Sequence, residues 1–545
     1  MHLLLLLALL SNLIIAAGPV SAASLLDQKD YSYWKKILHY NDQNISRADG
    51  TKFFLSPIGK SNPEAELKAT IAAFKNPNAT AGWFNYHPQC VFRERFFFLK
   101  NQGLLENVPE VSCPEFLEWK DGLNTESVSL IFSSSYPNNP SSLFGHTLLR
   151  LNQKKVDGKK QDLLDYAVAF SAVPEHDDLG VVFAAKGMFG GYKGFFEITK
   201  YYTKVNEYNN GESRDLIEYN LSMTPAELNR MSNHLWELYQ TTYFDYYFTD
   251  ENCSAVLADL LAVAYKEDDR VNAHARWYYL PGEMVKHFSQ LKGRIESITY
   301  RPSLKKQVAK QFEKLSPNEL KEVKEIVLKK ALPENLMNTN VLDSVISFLD
   351  FTQYRTKNKL EGEEATLQRS ALIKRSKLPK AENLIETYDQ NNKPEFSHDP
   401  QKFSFFSRLV NNHFQTGIEF KQGYHDLMSR DLGFDTFSQF DFLVGSLLYD
   451  FKFKKIKIDE LILVNLASLH EYRFYDPQLS WKARVGIDRI YDFKCTHCLK
   501  LNLSGLGGLT LRSQSDQSVF NLMAGIAGET ASEINKAYRL GPVKK

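Results

Sequence analysis

Cys253 lies in Tyr247-Phe-Thr-Asp-Glu-Asn-Cys-Ser-Ala-Val-Leu-Ala-Asp-Leu-Leu261, a setting suited to nucleophilic chemistry. It precedes Val256, Leu257, Leu260, Leu261 and Ala264, whose spacing predicts a helix, and Thr249, Asp250 and Asn252 can each cap it. At a helix N-terminus the dipole and the unpaired backbone N–H groups favour a thiolate and can also hold an oxyanion, which singles out Asn252 and Cys253. A small buried hydrophobe is the competing reading, because free cysteines are commonly just that. A base candidate is His146 in Ser141-Ser-Leu-Phe-Gly-His-Thr-Leu-Leu-Arg-Leu151. Gly145 beside it removes a side chain where a substrate would approach, and the pattern puts the histidine at the head of a strand. A satisfied structural histidine fits the same local sequence.

The cysteine count supports a free Cys253. The chain has five cysteines, and its first residues predict export. Leu3 to Ala17 is nearly all apolar and is followed by Gly18-Pro19 and Val20-Ser21-Ala22, a small-residue cleavage signature. A membrane anchor is the alternative, although the run is short against the roughly 20 apolar residues of a span. Outside the cytoplasm thiols pair. Cys90 with Cys113 would close one loop, worth about 3 kcal/mol, and Cys495-Thr-His-Cys498 can close another. Redox or metal use of the second pair is the alternative, but His497 does not complete a zinc site. Cys253 is then left over.

These residues must be held by elements that the pattern also marks. Residues 23–121 are mixed and partly helical, as in Pro63–Phe74, and read as a disulfide-tied helical domain. Short strand-like runs follow at Ser127–Ser133, His146–Leu151 and Leu164–Phe170. Helices then return, with Thr224-Pro-Ala-Glu227 and Ser316-Pro-Asn-Glu319 as capping boxes. The span 122–355 is read as one catalytic Cys–His domain with a helical extension, and the polar, charged stretch 356–399 as a linker or helical connector.

From 400 to 545 the chain alternates, as in Trp481–Asp488, His413–Lys421 and Leu448–Lys454. Runs of this kind between turn-like breaks fit an outer-membrane β-barrel of roughly eight strands. A soluble sheet with one wet face gives the same signal. A net charge of +1 offers no argument for nucleic acid, and 13% aromatic residues hints at a lipid- or polysaccharide-facing surface.

Taken together, residues 141–151, Asp165–Ala172, Gly190–Tyr192, Glu212–Tyr219 and Glu251–Ser254 resemble the bacterial Lnb-type lipoprotein N-acyltransferases. The resemblance is best over residues 125–265. It implies an α+β fold with a permuted papain-like core, akin to NlpC and lecithin retinol acyltransferase, in which the histidine strand precedes the cysteine helix. The helical domain would precede this core and the barrel-like domain follow it. It also implies Cys253 as nucleophile, His146 as base and no cofactor or metal.

The implied reaction moves a fatty acyl chain from a phospholipid through a Cys253 thioester to the N-terminal amine of a lipoprotein, at the membrane surface of the periplasm or outer membrane. For the third, orienting group Asp165 is favoured over Ser171. Tyr192 and Arg214 could contact a donor head group or serve as a packed aromatic and a structural ion pair. Two other classes share these features: an NlpC-type cell-wall peptidase or amidase, which would need a wide polar groove, and a non-catalytic outer-membrane scaffold with a buried Cys253.

Overall fold

The computed structural model describes residues 25–137, 142–155, 158, 161–173, 186–271, 278–356, 359–379, 393–410, 412–435, 437–490, 498–512, 519–531 and 538–544. The leader, Ser141 and Cys495 lie outside them, so the expected leader and the Cys495–Cys498 pair are not described.

The fold is α+β, with two antiparallel sheets. Helices Gln28–Ile37, Pro63–Lys75, Arg93–Asn101 and Pro114–Leu123 come first. Pro63 stands at the first helical position, and the preceding Asn62 accepts the Ala65 N–H, so the break before the apolar spacing is also the cap. The expected Cys90–Cys113 disulfide is formed and closes a loop of sequence separation 23. It packs with Phe116 and with Trp236 of helix Pro225–Thr241. Both capping boxes form, at Thr224/Glu227 and Ser316/Glu319.

The first sheet contains β1 (Thr125–Ser133), β2 (His146–Gln153), β3 (Tyr166–Val173), β4 (Tyr192–Lys200), β5 (Leu216–Leu221), β6 (Phe244–Tyr246) and β7 (Ile295–Arg301), in the order β6-β4-β3-β2-β1-β5-β7. Its Leu130, Phe132, Leu149, Val168 and Phe170 share one apolar core with the N-terminal helices and with helix Cys253–Ala264. Ile131, Leu148, Ala167 and Ala169 face the other way, against Tyr201, Val205 and Tyr208. The period-2 alternation of the strands sorts them between the faces, and both faces are covered.

Helices between Leu304 and Arg375 form a separate apolar cluster around Val323, Val341, Val345 and Leu349, with Tyr475 reaching it from the last part of the chain. Helix Gly362–Arg375, inside the stretch read as a connector, packs Leu367 and Ala371 into that cluster.

The second sheet is an eight-stranded meander from β8 (Lys402–Val410) through β9 (His413–His425), β10 (Ser438–Asp450), β11 (Lys455–Ser468), β12 (Ser480–Arg489), β13 (Leu499–Arg512) and β14 (Val519–Ala531) to β15 (Tyr538–Lys544). The expected barrel is an open sheet here: β8 pairs with β9 and β15 with β14, and no ladder joins β8 to β15 among the described residues. The run Leu448–Lys454 is not one strand. It crosses the β10–β11 turn at 451–454, where Lys454 takes φ 50°.

Candidate active site

Cys253 opens helix Cys253–Ala264, and Asn252 is its cap. The Asn252 Oδ1 accepts the N–H groups of Ser254 (2.9 Å) and Ala255 (3.2 Å), while its Nδ2 donates to the Phe248 (3.0 Å) and Tyr279 (2.8 Å) carbonyls. The side chain is thus fully used in fixing the turn. Asn252 builds the helix start, and its amide is not a spare oxyanion donor. The Cys253 backbone N–H faces the hydroxyl of the buried Tyr246.

The helix packs on β2, bringing the thiol to the strand head. Gly145, just before β2, has φ 91°, and a Cβ there would lie 2.7 Å from the Phe132 ring and 2.9 Å from the Ser133 carbonyl. Only glycine fits that close turn. The Thr147 backbone N–H and the Thr147 and Ser254 hydroxyls lie near the thiol and favour its thiolate form. The latter two oxygens are 3.1 Å apart, and Ser254 Oγ is 3.8 Å from Sγ. Burial nevertheless outweighs these groups and pushes the Cys253 thiol up.

His146 is at the same strand head but turned to the other face. Its ring lies 5.5 Å from that of Tyr208, centroid to centroid, and its buried Nε2 has no hydrogen-bond partner among the described residues. The reason is the strand itself: His146 and Thr147 are adjacent, so they point to opposite sides, and Thr147 takes the side of the cysteine helix. Burial, with the positive charges of Arg214 and Lys204 behind it, lowers the imidazole to about 3. At neutral pH the pair is therefore a neutral thiol and a neutral imidazole, the protonation state from which a base-assisted attack starts.

Asp165 does not orient His146. It sits at the far end of β2, roughly 20 Å along the strand, where it accepts the Gln153 N–H at 2.9 Å and lies 3.5 Å from Arg150. Arg150 in turn binds Glu218 at 2.7 Å, a structural cluster. Ser171 lies half-buried at the end of β3. Arg214 is buried as well. It donates to the carbonyls of Ser134 (2.6 Å) and Ser133 (3.1 Å), pairs with Glu212 (2.9 Å) and covers the Tyr208 ring. Its guanidinium thus holds the end of β1, as a structural ion pair would. Tyr192 is buried opposite Tyr246, with Lys186 over its ring, as a packed aromatic.

What surrounds the thiol is apolar. A narrow cavity of about 50 Å³ is lined by Phe144, Gly145, Met188, Tyr246, Phe248 and Cys253, and closed on its other side by Gly423, Phe442 and Leu443 of the second sheet. A roomier polar cavity of about 430 Å³ lies beyond the end of β1, lined by paired charges such as Asp215 with Lys306 and Asp476 with Lys305. It does not include the cysteine. Thr147, Ser254, Tyr208 and Tyr246 escape a reading by motif. Only alternation along β2 signals Thr147, since whatever face His146 takes, its neighbour takes the other. Among the described residues no group of three His, Cys, Asp or Glu side chains suits a metal, and no helix is long and apolar enough to cross a membrane.

Residues 115–280 match the family model described as the Lnb N-terminal periplasmic domain, a span that contains both His146 and Cys253. Residues 26–102 and 391–544 match two families described as domains of unknown function, DUF7843 and DUF7840. No curated protein and no solved structure matches the chain. The match over 115–280 indicates an exported, periplasmic protein.

Proposed function

We propose that the protein is a cysteine-dependent lipoprotein N-acyltransferase with a permuted Cys–His core. The observation that carries this reading is the position of the thiol: first residue of a capped helix, at the head of the histidine strand, in a narrow apolar cavity. The apolar lining suits the carbonyl end of an acyl chain, whereas a cell-wall peptide needs a wide polar groove.

In the proposed cycle the His146 imidazole turns from Tyr208 toward Sγ and takes the thiol proton. Sγ attacks the ester carbonyl of a phospholipid. The C–O bond breaks, the lysolipid alkoxide leaves with the proton from His146, and an acyl thioester remains. The α-amine of a lipoprotein's N-terminal lipidated cysteine then attacks the thioester, the C–S bond breaks, and an amide and the free thiol result. The Cys253 N–H at the helix terminus is the donor this scheme assigns to the oxyanion, once Tyr246 yields it.

One observation favours a second reading. Cys253 is 2% exposed and its thiol lies beside Thr147, while the His146 ring packs on Tyr208, as a non-catalytic outer-membrane scaffold would have it. Mass spectrometry of lipoprotein N-termini separates the two, in cells depleted of their own N-acyltransferase and carrying either this protein or Cys253→Ser. The transferase reading expects an added amide-linked acyl chain with the wild type alone. Unmodified amines with both, the protein being folded and exported, would reject it.

A further inference from the structure

The second sheet has its polarity inverted. Large apolar side chains stand exposed on it: Phe405 (80%), Ile526 (78%) and Leu522 (77%), with Leu503 and Leu511 on the same face. The ladders place these residues beside one another, Leu509 across from Leu522 and Leu511 across from Phe520. The opposite face carries the ions. Arg408 binds Asp459 at 2.6 Å, Lys457 binds Asp450 at 3.2 Å, and Asn502 reaches Asp488 at 3.2 Å. In water a one-sided sheet does the reverse, hiding its apolar face and wetting its polar one.

We propose that the apolar outer face of this sheet lies in the hydrocarbon of a lipid bilayer, and that lipid reaches Cys253 sideways from that face, past β10. Two features name lipid as the occupant. The alternation, with Leu, Ile and Phe outward and Arg, Asp, Asn and Lys inward, runs across the meander, as bilayer-facing strands require. The outer face is also continuous with the thiol cavity. Leu443, 42% exposed on β10, lines that cavity beside Phe442, against which Phe144 packs with ring centroids 5.7 Å apart. The sideways route rests on the acyltransferase reading. The docking face does not.

The test uses the purified full chain with vesicles of phosphatidylethanolamine and phosphatidylglycerol, scored by flotation. Wild type and Cys253→Ser should float alike. Leu503→Lys and Leu522→Lys, each checked for native circular dichroism, should lower the floating fraction by about tenfold or more. The inward-facing Ser504→Lys should leave it within about twofold. Wild type remaining in the aqueous fraction, as a monomer or as a dimer joined through this face, would overturn the proposal. So would equal losses for outward and inward lysines. Flotation without acyl transfer would refute the transferase alone, and transfer from detergent-dispersed donor without flotation would refute the docking face alone.

Discussion

The seven-stranded sheet is covered on both faces, by the Cys253 helix on one and residues 201–211 on the other, whereas the eight-stranded sheet leaves one face bare and makes that face its greasy one. The first sheet therefore draws its stability from a sealed core with polar groups trapped inside. Arg95 is an example: fully buried, 3.1 Å from Glu66, receiving a second carboxylate from Glu237, and sandwiched 4.2 Å from the rings of Phe53 and Phe92. The second sheet keeps its ions in register on one face and offers mainly apolar side chains outside. A sealed core fixes a thiol and its neighbours, and the bare apolar face is the one proposed to meet lipid. The thiol sits where the two meet, with walls from both.

That contrast can be broken in several places, the largest effect being on chemistry. Cys253→Ser should reduce acyl transfer by about 10³-fold or more while leaving the denaturation midpoint and vesicle flotation unchanged, because only the nucleophile is lost. Next is the sealed core. Arg95→Ala leaves Glu66 and Glu237 buried without their partner and should cost about 3–5 kcal/mol in urea unfolding, with the folded fraction still floating with vesicles. A loss of flotation in that folded fraction would mean that the two sheets do not act separately.

Replacing Cys90 and Cys113 by alanine should cost about 3 kcal/mol by loop entropy, again confined to the covered body, as the urea midpoint would report. A further effect is a pH dependence. Burial holds the Glu94 carboxyl up at about 8, against its hydrogen bonds from Tyr33 and Asn233. Its stabilising contribution is present below pH 4.5 and lost as pH rises through 8, so Glu94→Gln should flatten the decline of the urea midpoint between about pH 4.5 and 8. His146, lowered from 6.5 to about 3, acts in the opposite direction. Its contribution is present above pH 6.5 and lost as pH falls toward 3, and His146→Asn should remove that acid-side slope.

Much of this was legible in the residues because it is local. The cap at Asn252, both capping boxes, the glycine before His146 and the 90–113 pairing depend on neighbours in sequence, and so does the alternation of the last strands. What stayed hidden is long-range. The order β6-β4-β3-β2-β1-β5-β7 cannot be read from periodicity, and with it the pairing of His146 with Ser133, which fixes which face the imidazole takes. Asp165 looked close to His146 because the two strands are consecutive, but antiparallel pairing puts it at the opposite end of β2. Arg214 reads equally as a head-group contact or a structural ion pair until β1 supplies the carbonyls that bury it. Leu448–Lys454 shows the remaining limit: alternation continues through the turn, so only the Asp450–Lys455 pairing marks the end of β10.

The central claim is that Cys253 carries an acyl chain, and intact-protein mass spectrometry after incubation with phospholipid in detergent tests it most directly. The account predicts a mass increase of one fatty acyl group, removed by neutral hydroxylamine, mapped to the Cys253 peptide and absent from Cys253→Ser. A folded wild-type protein that stays unmodified, or an adduct that persists in Cys253→Ser, would contradict it.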